Sequence, residues 1–111
     1  TALNHIINDT LDQIELTEEM IHTGTWTLMH YAAYFDAEKS IKYLAQVSNE
    51  LIDGPTKHEA WTPLMISSIK NSTKAMKTLL ELGADKIIQD ARGQTAIGLA
   101  DDYGSEGCLK L

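Results

Sequence analysis

The chain has 111 residues, of which 43% are hydrophobic and only 6% aromatic, which suffices for one domain with a modest core. Its formal net charge of -7 argues against sequence-independent binding to nucleic acid or anionic lipid, which needs clustered Lys and Arg. The single cysteine, Cys108, excludes an internal disulfide and a Cys-based zinc cluster, and we expect an intracellular protein, cytoplasmic or nuclear.

The first segment, residues 1–21, predicts an N-terminal capping helix. It contains the apolar residues Ile6, Ile7 and Leu11. They lie one repeat period before the apolar face of the second helix in the helix-turn-helix unit predicted at residues 22–56. The alternative is a frayed acidic tail, since chain termini are often disordered. The sequence starts with Thr1 rather than Met and ends within a helical pattern, so we expect a piece of a longer protein.

The rest of the chain repeats one helix-turn-helix pattern three times. The stretch that begins at Trp26-Thr27 aligns with those that begin at Trp61-Thr62 and at Gln94-Thr95, and the three threonines are 35 and 33 residues apart. A period of this size is typical of a solenoid of stacked repeats. The predicted units are residues 22–56, 57–89 and 90–111, the last of them truncated.

The central unit has the most regular pattern. Thr62-Pro63 is a favourable helix start, because the Thr oxygen caps free N–H groups and Pro fits the first turn. Asn71-Ser72 ends this helix, and Gly83 is placed to end the next one in a left-handed cap. Helices of roughly 8 to 10 residues are marginal alone in water, so these must be stabilised by their neighbours.

These residues resemble the ankyrin repeat, and the resemblance covers about residues 22–111. The matching motifs are Thr62-Pro63-Leu64, Leu79-Leu80, Gly83-Ala84-Asp85 and Asp90 to Thr95. The resemblance implies an all-α, ankyrin-type helix-turn-helix solenoid of about three repeats plus the N-terminal capping helix. The first unit departs from the pattern at Leu28, in place of Pro, and by an inserted loop at residues 51–60; the third departs at Asp101, in place of a second small residue.

The resemblance implies a protein-protein interaction module that binds on its concave face. The positions that point there in the family correspond here to Trp26, Tyr34, Phe35, Trp61, Ile69, Lys70, Gln94, Asp102 and Tyr103. Five of them are aromatic, and aromatic anchors are enriched at interface hot spots. With the acids near the end of the chain, they predict a partner protein or peptide that has an apolar segment next to basic residues. We expect a monomer that does not insert into a membrane.

Two alternatives to this function stay open. The tryptophans can simply pack along the ridge of turns, with Tyr34 and Phe35 covering the junction between helices. The repeats can also be an intramolecular structural or regulatory segment of a larger enzyme, channel or effector protein, because a fold alone does not define a function.

The sequence gives no support for catalysis, a cofactor or a metal. The resemblance assigns His30 to a structural hydrogen bond, and Cys108 lies on a predicted apolar face. His22 and His58 occupy corresponding turns, but two histidines without a further fixed ligand do not make a zinc site.

Overall fold

The computed structural model describes residues 25–111 as a stack of three helical hairpins. The helices are α1 (Leu28–Tyr34), α2 (Glu38–Val47), α3 (Pro63–Lys70), α4 (Thr73–Glu81), α5 (Ala96–Asp102) and α6 (Glu106–Leu109), with a 3-10 helix at Asn49–Asp53. No strand occurs within this described range, which confirms the predicted all-α fold. The predicted capping helix at residues 1–21, with Ile6, Ile7 and Leu11, lies outside the described residues.

A threonine begins each inner helix. Thr27, Thr62 and Thr95 have extended backbones, and each side chain accepts a hydrogen bond from the N–H three residues on, at 3.4, 3.3 and 3.3 Å. This bond satisfies one of the free N–H groups at a helix start, so the sequence repeat is a repeat of helix caps.

The helices form two layers with the core between them. The inner helices α1, α3 and α5 pack side by side, and α2, α4 and α6 pack behind them. The fully buried large side chains include Met29, Ile41, Leu64, Met65, Ile66 and Leu79. The short side chains of Ala33 and Ser68 are also buried, whereas Asp101 at the equivalent place is exposed, because α5 packs against α3 on one side only within the described residues.

The turn inside each hairpin places one residue in the left-handed region. Asp36, Asn71 and Gly104 have φ of 57°, 54° and 65° there, and these are the residue types that tolerate that conformation. Asp36 Oδ1 also accepts the N–H of Ala75 at 2.7 Å, and Asn71 Oδ1 accepts that of Cys108 at 3.2 Å. The turn inside one hairpin therefore caps the outer helix of the next.

The segment between the first two hairpins is more ordered than the loop predicted at residues 51–60. It starts with the 3-10 helix, whose Ile52 is only 4% exposed. Asp53 Oδ1 accepts the N–H of Asp85 at 3.0 Å, which links this segment to the end of the next repeat. The additional residues thus pack against the stack because Ile52 supplies an apolar side chain to the core.

Ala60 stands in the turn before α3 with φ of 55°, where the next turn has Gly93 with φ of 80°. An L-residue in this region is strained by roughly 1 to 2 kcal/mol, and the greater chain entropy of Gly offsets only part of that. We therefore expect Ala60→Gly to raise the free energy of unfolding by about 0.5 to 1 kcal/mol, measured by urea denaturation. The exposed Ala91, which does not have a positive φ, is the control: Ala91→Gly should be neutral or destabilising, and a gain equal to that of Ala60→Gly would contradict the strain.

The inter-repeat cap predicts different effects for two substitutions of Asp36. Asp36→Gly keeps the positive φ but removes the acceptor for the N–H of Ala75, and should cost about 1.5 kcal/mol of unfolding free energy. Asp36→Asn keeps an oxygen acceptor and loses only the charge near the start of α4, so it should cost about 0.3 to 0.5 kcal/mol. Equal losses in urea denaturation would show that the hydrogen bond does not stabilise the stack.

Candidate protein-binding face

The turns before the inner helices form one ridge at the edge of the stack. The N–H of Lys57 donates to the carbonyl of Thr25 at 3.2 Å, and the N–H of Ala91 donates to that of Glu59 at 2.9 Å. Backbone hydrogen bonds between successive turns fix the register of the residues that follow them. As a result Trp26, Trp61 and Gln94 occupy equivalent positions along the ridge.

His30 ties the first repeat to the second from inside the stack. The backbone N–H of Thr27 donates to Nδ1 at 3.0 Å, so the ring proton is on Nε2. Nε2 then donates to the carbonyls of Gly54 at 2.7 Å and Trp61 at 2.9 Å. The predicted structural role of His30 therefore fits its geometry, and the ring is fully buried.

Four aromatic side chains at the first repeat form what we call the N-terminal aromatic cluster: Trp26, Tyr31, Tyr34 and Phe35. The Trp26 ring lies 5.0 Å from that of Tyr31 and 5.8 Å from that of Tyr34, and Tyr34 lies 5.0 Å from Phe35. These four residues and Thr25 line one shallow depression. The rings fix one another in place while Phe35 stays 37% exposed.

Lys70 extends this surface into the second repeat. Its Nζ lies 4.6 Å from the centre of the Tyr34 ring, within the range of a cation–π contact. Lys70 and Tyr34, predicted from different repeats to lie on one face, are therefore brought together.

Trp61 is fixed by the third repeat. Its indole N–H donates to Asp90 Oδ2 at 3.1 Å, while Asp90 Oδ1 accepts the backbone N–H groups of Arg92 at 2.9 Å and Gln94 at 2.8 Å. Burial by itself would raise the pKa of Asp90, but these hydrogen bonds and the Arg92 charge outweigh it and lower the pKa below the ordinary value. Asp90 is therefore a carboxylate that organises the turn and the indole together.

A second depression, the Trp61 cleft, lies between the second and third repeats and has a volume of about 420 Å³. Its lining residues are His58, Glu59, Trp61, Asp90, Ala91, Arg92, Gln94, Leu99 and Tyr103. Tyr103 is 57% exposed, and the adjacent Asp102 accepts a hydrogen bond from Nε2 of Gln94. The cleft thus combines two aromatic rings with carboxylates.

Eight of the nine residues predicted for the face separate into two groups in the structure, and Ile69 belongs to neither. Trp26, Tyr34, Phe35 and Lys70 belong to the N-terminal aromatic cluster or touch it, whereas Trp61, Gln94 and Tyr103 line the Trp61 cleft and Asp102 adjoins it. Trp26, Tyr34, Trp61 and Ile69 are partly buried against the core, as the packing alternative expects. The two tryptophans line separate depressions.

Sequence reasoning missed several residues around these depressions. Tyr31 completes the N-terminal aromatic cluster, and Glu59 and Arg92 line the Trp61 cleft. Glu59 and Arg92 precede the predicted positions by two residues in their turns, so the stacking of successive turns is the signal that could have indicated them.

Other reactive side chains do not assemble into a site within residues 25–111. No group of three or more His, Cys, Asp or Glu is placed there to hold a metal ion. His58 is exposed, and its predicted neighbour His22 lies outside the described residues. Burial, with a smaller effect of Asp36, raises the pKa of the Cys108 thiol and so disfavours the thiolate. None of the helices in this range is both long enough and apolar enough to cross a membrane.

Three hairpins with capped inner helices, stacked in two layers behind a ridge of turns, define a helical repeat solenoid. The model for ankyrin repeats in three copies matches residues 2–90 and 29–111, and the chain therefore belongs to the ankyrin repeat family. It is also similar to NF-kappa-B inhibitor delta from Mus musculus, with 28% identity over 113 residues. That match covers 98% of this chain and 32% of the mouse protein, so the chain spans about a third of its relative's length. Proteins of this family are generally protein-protein interaction modules.

The burial of His30 predicts that acid destabilises the fold. Burial lowers the pKa of His30 below the ordinary value of 6.5, although the hydrogen bonds to Gly54 and Trp61 act the other way. Between about pH 6.5 and the lower pKa of the folded state, the unfolded chain therefore binds more protons than the folded one. As the pH is lowered through this range, the free energy of unfolding decreases by up to about 1.4 kcal/mol per pH unit. Above that range His30 contributes no slope.

Urea denaturation from pH 7.5 downward and an NMR titration of the His30 ring would test this effect. His58→Gln, at an exposed histidine, should leave the His30 slope in place. A pKa of 6.5 or higher for His30 in the folded protein would contradict the prediction.

Proposed function

We propose that this chain is a protein-protein interaction module whose ridge of turns and adjoining inner-helix ends, the concave face in its family, bind a partner protein or peptide. The observation that carries the proposal is the series of partly exposed aromatic rings along one face, from Phe35 in the first repeat to Tyr103 in the third. Large exposed apolar groups that lie together are typical of interaction surfaces.

The rings on this face are fixed in place by their own contacts. Tyr34 contacts both Trp26 and Phe35, and the Trp61 indole is hydrogen-bonded to Asp90. A partner that contacts them therefore gains buried area without the full entropic cost of ordering flexible side chains. The structural role of the tryptophans thus supports binding rather than competing with it.

The charge of the face supports a partner with an apolar segment next to basic residues. The chain carries a formal charge of -7, and Asp101, Asp102 and Glu106 are all exposed at the end of the third repeat. Acidic groups beside exposed rings favour a basic partner by complementarity and speed its encounter. The mouse relative's name, an inhibitor of NF-kappa-B, describes an action on another molecule and fits a binding role.

The same proposal describes a monomeric, non-catalytic module that works inside the cell. The arrangement of His30 and Cys108 supports the absence of catalysis in this proposal. Both ring nitrogens of His30 make hydrogen bonds within the stack, and Cys108 is buried. Neither side chain is placed to act on a substrate.

A second candidate function is that of a structural or regulatory segment that packs against another part of a larger protein. A different surface of the chain favours it. Ile97, Leu109 and Leu111 are exposed around a small apolar pocket of about 120 Å³ at the third repeat. If a neighbouring part of a longer natural protein packs there, amide hydrogen exchange of α5 and α6 should be slower in that longer protein than in this chain.

Capture from a lysate of the source organism would test the interaction module. The double variant Phe35→Ala, Tyr103→Ala should retain at least about tenfold less of any specific partner than the unchanged chain, because both side chains are exposed on the face. Val47→Ala is the matched control, since Val47 is an exposed apolar residue at the end of an outer helix.

The double variant should unfold at a somewhat lower temperature than the other two proteins, because Phe35 packs against Tyr34, so thermal unfolding must show that all three are folded at the temperature of the capture. A partner retained equally by the double variant and the control would refute binding through this face.

A further inference from the structure

The Trp61 cleft has the composition of a site for a cationic side chain. Trp61 and Tyr103 supply aromatic rings, and Glu59 and Asp90 supply carboxylates. Its volume of about 420 Å³ lies in the lower part of the range of ligand-binding pockets, which suits one long side chain better than an extended molecule. Aromatic rings attract cations through their faces, and nearby carboxylates add to that attraction.

The same face already holds one cation in this manner. Lys70 places its ammonium group 4.6 Å from the centre of the Tyr34 ring. Neither Trp61 nor Tyr103 has a cation of residues 25–111 placed over its ring in this way. Tyr34 thus shows that an aromatic ring of this face can hold an ammonium group.

The charges around the Trp61 cleft also favour a cation. Asp90 is committed to Trp61, Arg92 and Gln94, but Glu59 uses only Oε2 to accept the Thr56 hydroxyl at 3.0 Å, which leaves its other oxygen as an acceptor. Asp102 adds a carboxylate beside Tyr103.

Arg92 is the opposing charge, and it is balanced by the buried Asp90 that it adjoins. Arg92 is the one arginine or lysine among the described residues that line the cleft. The three carboxylates that line or adjoin the cleft are Glu59, Asp90 and Asp102.

We propose that the Trp61 cleft binds the side chain of an arginine or lysine of the partner, while the N-terminal aromatic cluster binds an apolar side chain of the same segment. This inference rests on the proposed function and assigns the chemistry of each half of the face. Packed helices are about 8 to 10 Å apart, so one and a half repeats separate the two depressions by roughly 12 to 15 Å. An extended peptide covers that distance with about four residues.

NMR titration of the whole 111-residue chain with blocked amino acids tests the cleft directly. The probes are the Nα-acetyl methylamides of arginine, lysine, norleucine and glutamate, and the reporter is the indole N–H of Trp61, with that of Trp26 as an internal comparison. We expect the arginine or lysine probe to cause a saturable shift at Trp61 with an affinity about 3- to 30-fold higher than that of neutral norleucine. The separate arginine and lysine arms show which cation the cleft prefers.

Matched variants separate local recognition from the overall charge. Tyr103→Ala and Glu59→Gln should each weaken binding of the cationic probe, whereas Tyr103→Phe, which keeps the ring, should not. Glu81→Gln removes one negative charge at an exposed site at the end of α4 and should leave the affinity unchanged. An equal effect of Glu81→Gln and Glu59→Gln would reduce the attraction to net charge and overturn the assignment.

The proposal also fails if arginine, lysine and norleucine bind Trp61 equally, or if no probe causes a saturable shift up to about 50 mM, above the millimolar range expected for so small a ligand. Such a failure is distinguishable from failure of the proposed function, because the Phe35→Ala, Tyr103→Ala variant can still lose its captured partner. In that case the face binds a partner without a cation in the cleft.

Discussion

The hydrogen bonds of His30 connect the fold to the candidate protein-binding face. One ring nitrogen receives the N–H of Thr27 at the start of an inner helix, and the other donates to the carbonyls of Gly54 and Trp61 in the next repeat. Helices of seven to ten residues, such as α1 and α2, are marginal in isolation, so the stack depends on links of this kind between neighbours. Because one link ends at the Trp61 carbonyl, the core fixes the backbone from which that side chain projects.

The repeats share helix caps but use different groups to hold successive turns together. The histidine position of the first repeat is taken by Met65 and Gly98 in the second and third, and neither offers an imidazole. At the turns of the second and third repeats, the side-chain link is instead the hydrogen bond from Trp61 to Asp90, which involves a residue of the face itself. In this part of the stack the side chain proposed to bind a partner also maintains the register of the turns.

This double role explains why the face could be predicted only in part. The period of the threonines placed Trp26, Trp61 and Gln94 on one ridge, because equivalent positions of a solenoid stack. It did not indicate that the tryptophans line separate depressions, or that Glu59 and Arg92 belong to the second one. Those facts depend on turn geometry, and the turn before α3 contains Ala60 in a left-handed conformation that the residue type does not favour.

The sequence by itself determined the helical hairpins, their number and their order, because caps, breaks and apolar spacing are local properties that recur with a fixed period. It also predicted that Trp26, Trp61 and Gln94 occupy equivalent positions in successive turns. Only the tertiary structure decided which residues contact one another, since such contacts join different repeats. Lys70 lies over the Tyr34 ring of the preceding repeat, and the N–H of Ala75 donates to Asp36 of the preceding repeat. The two depressions of the face arise from such contacts, whose geometry is set by packing between hairpins rather than by the pattern within one.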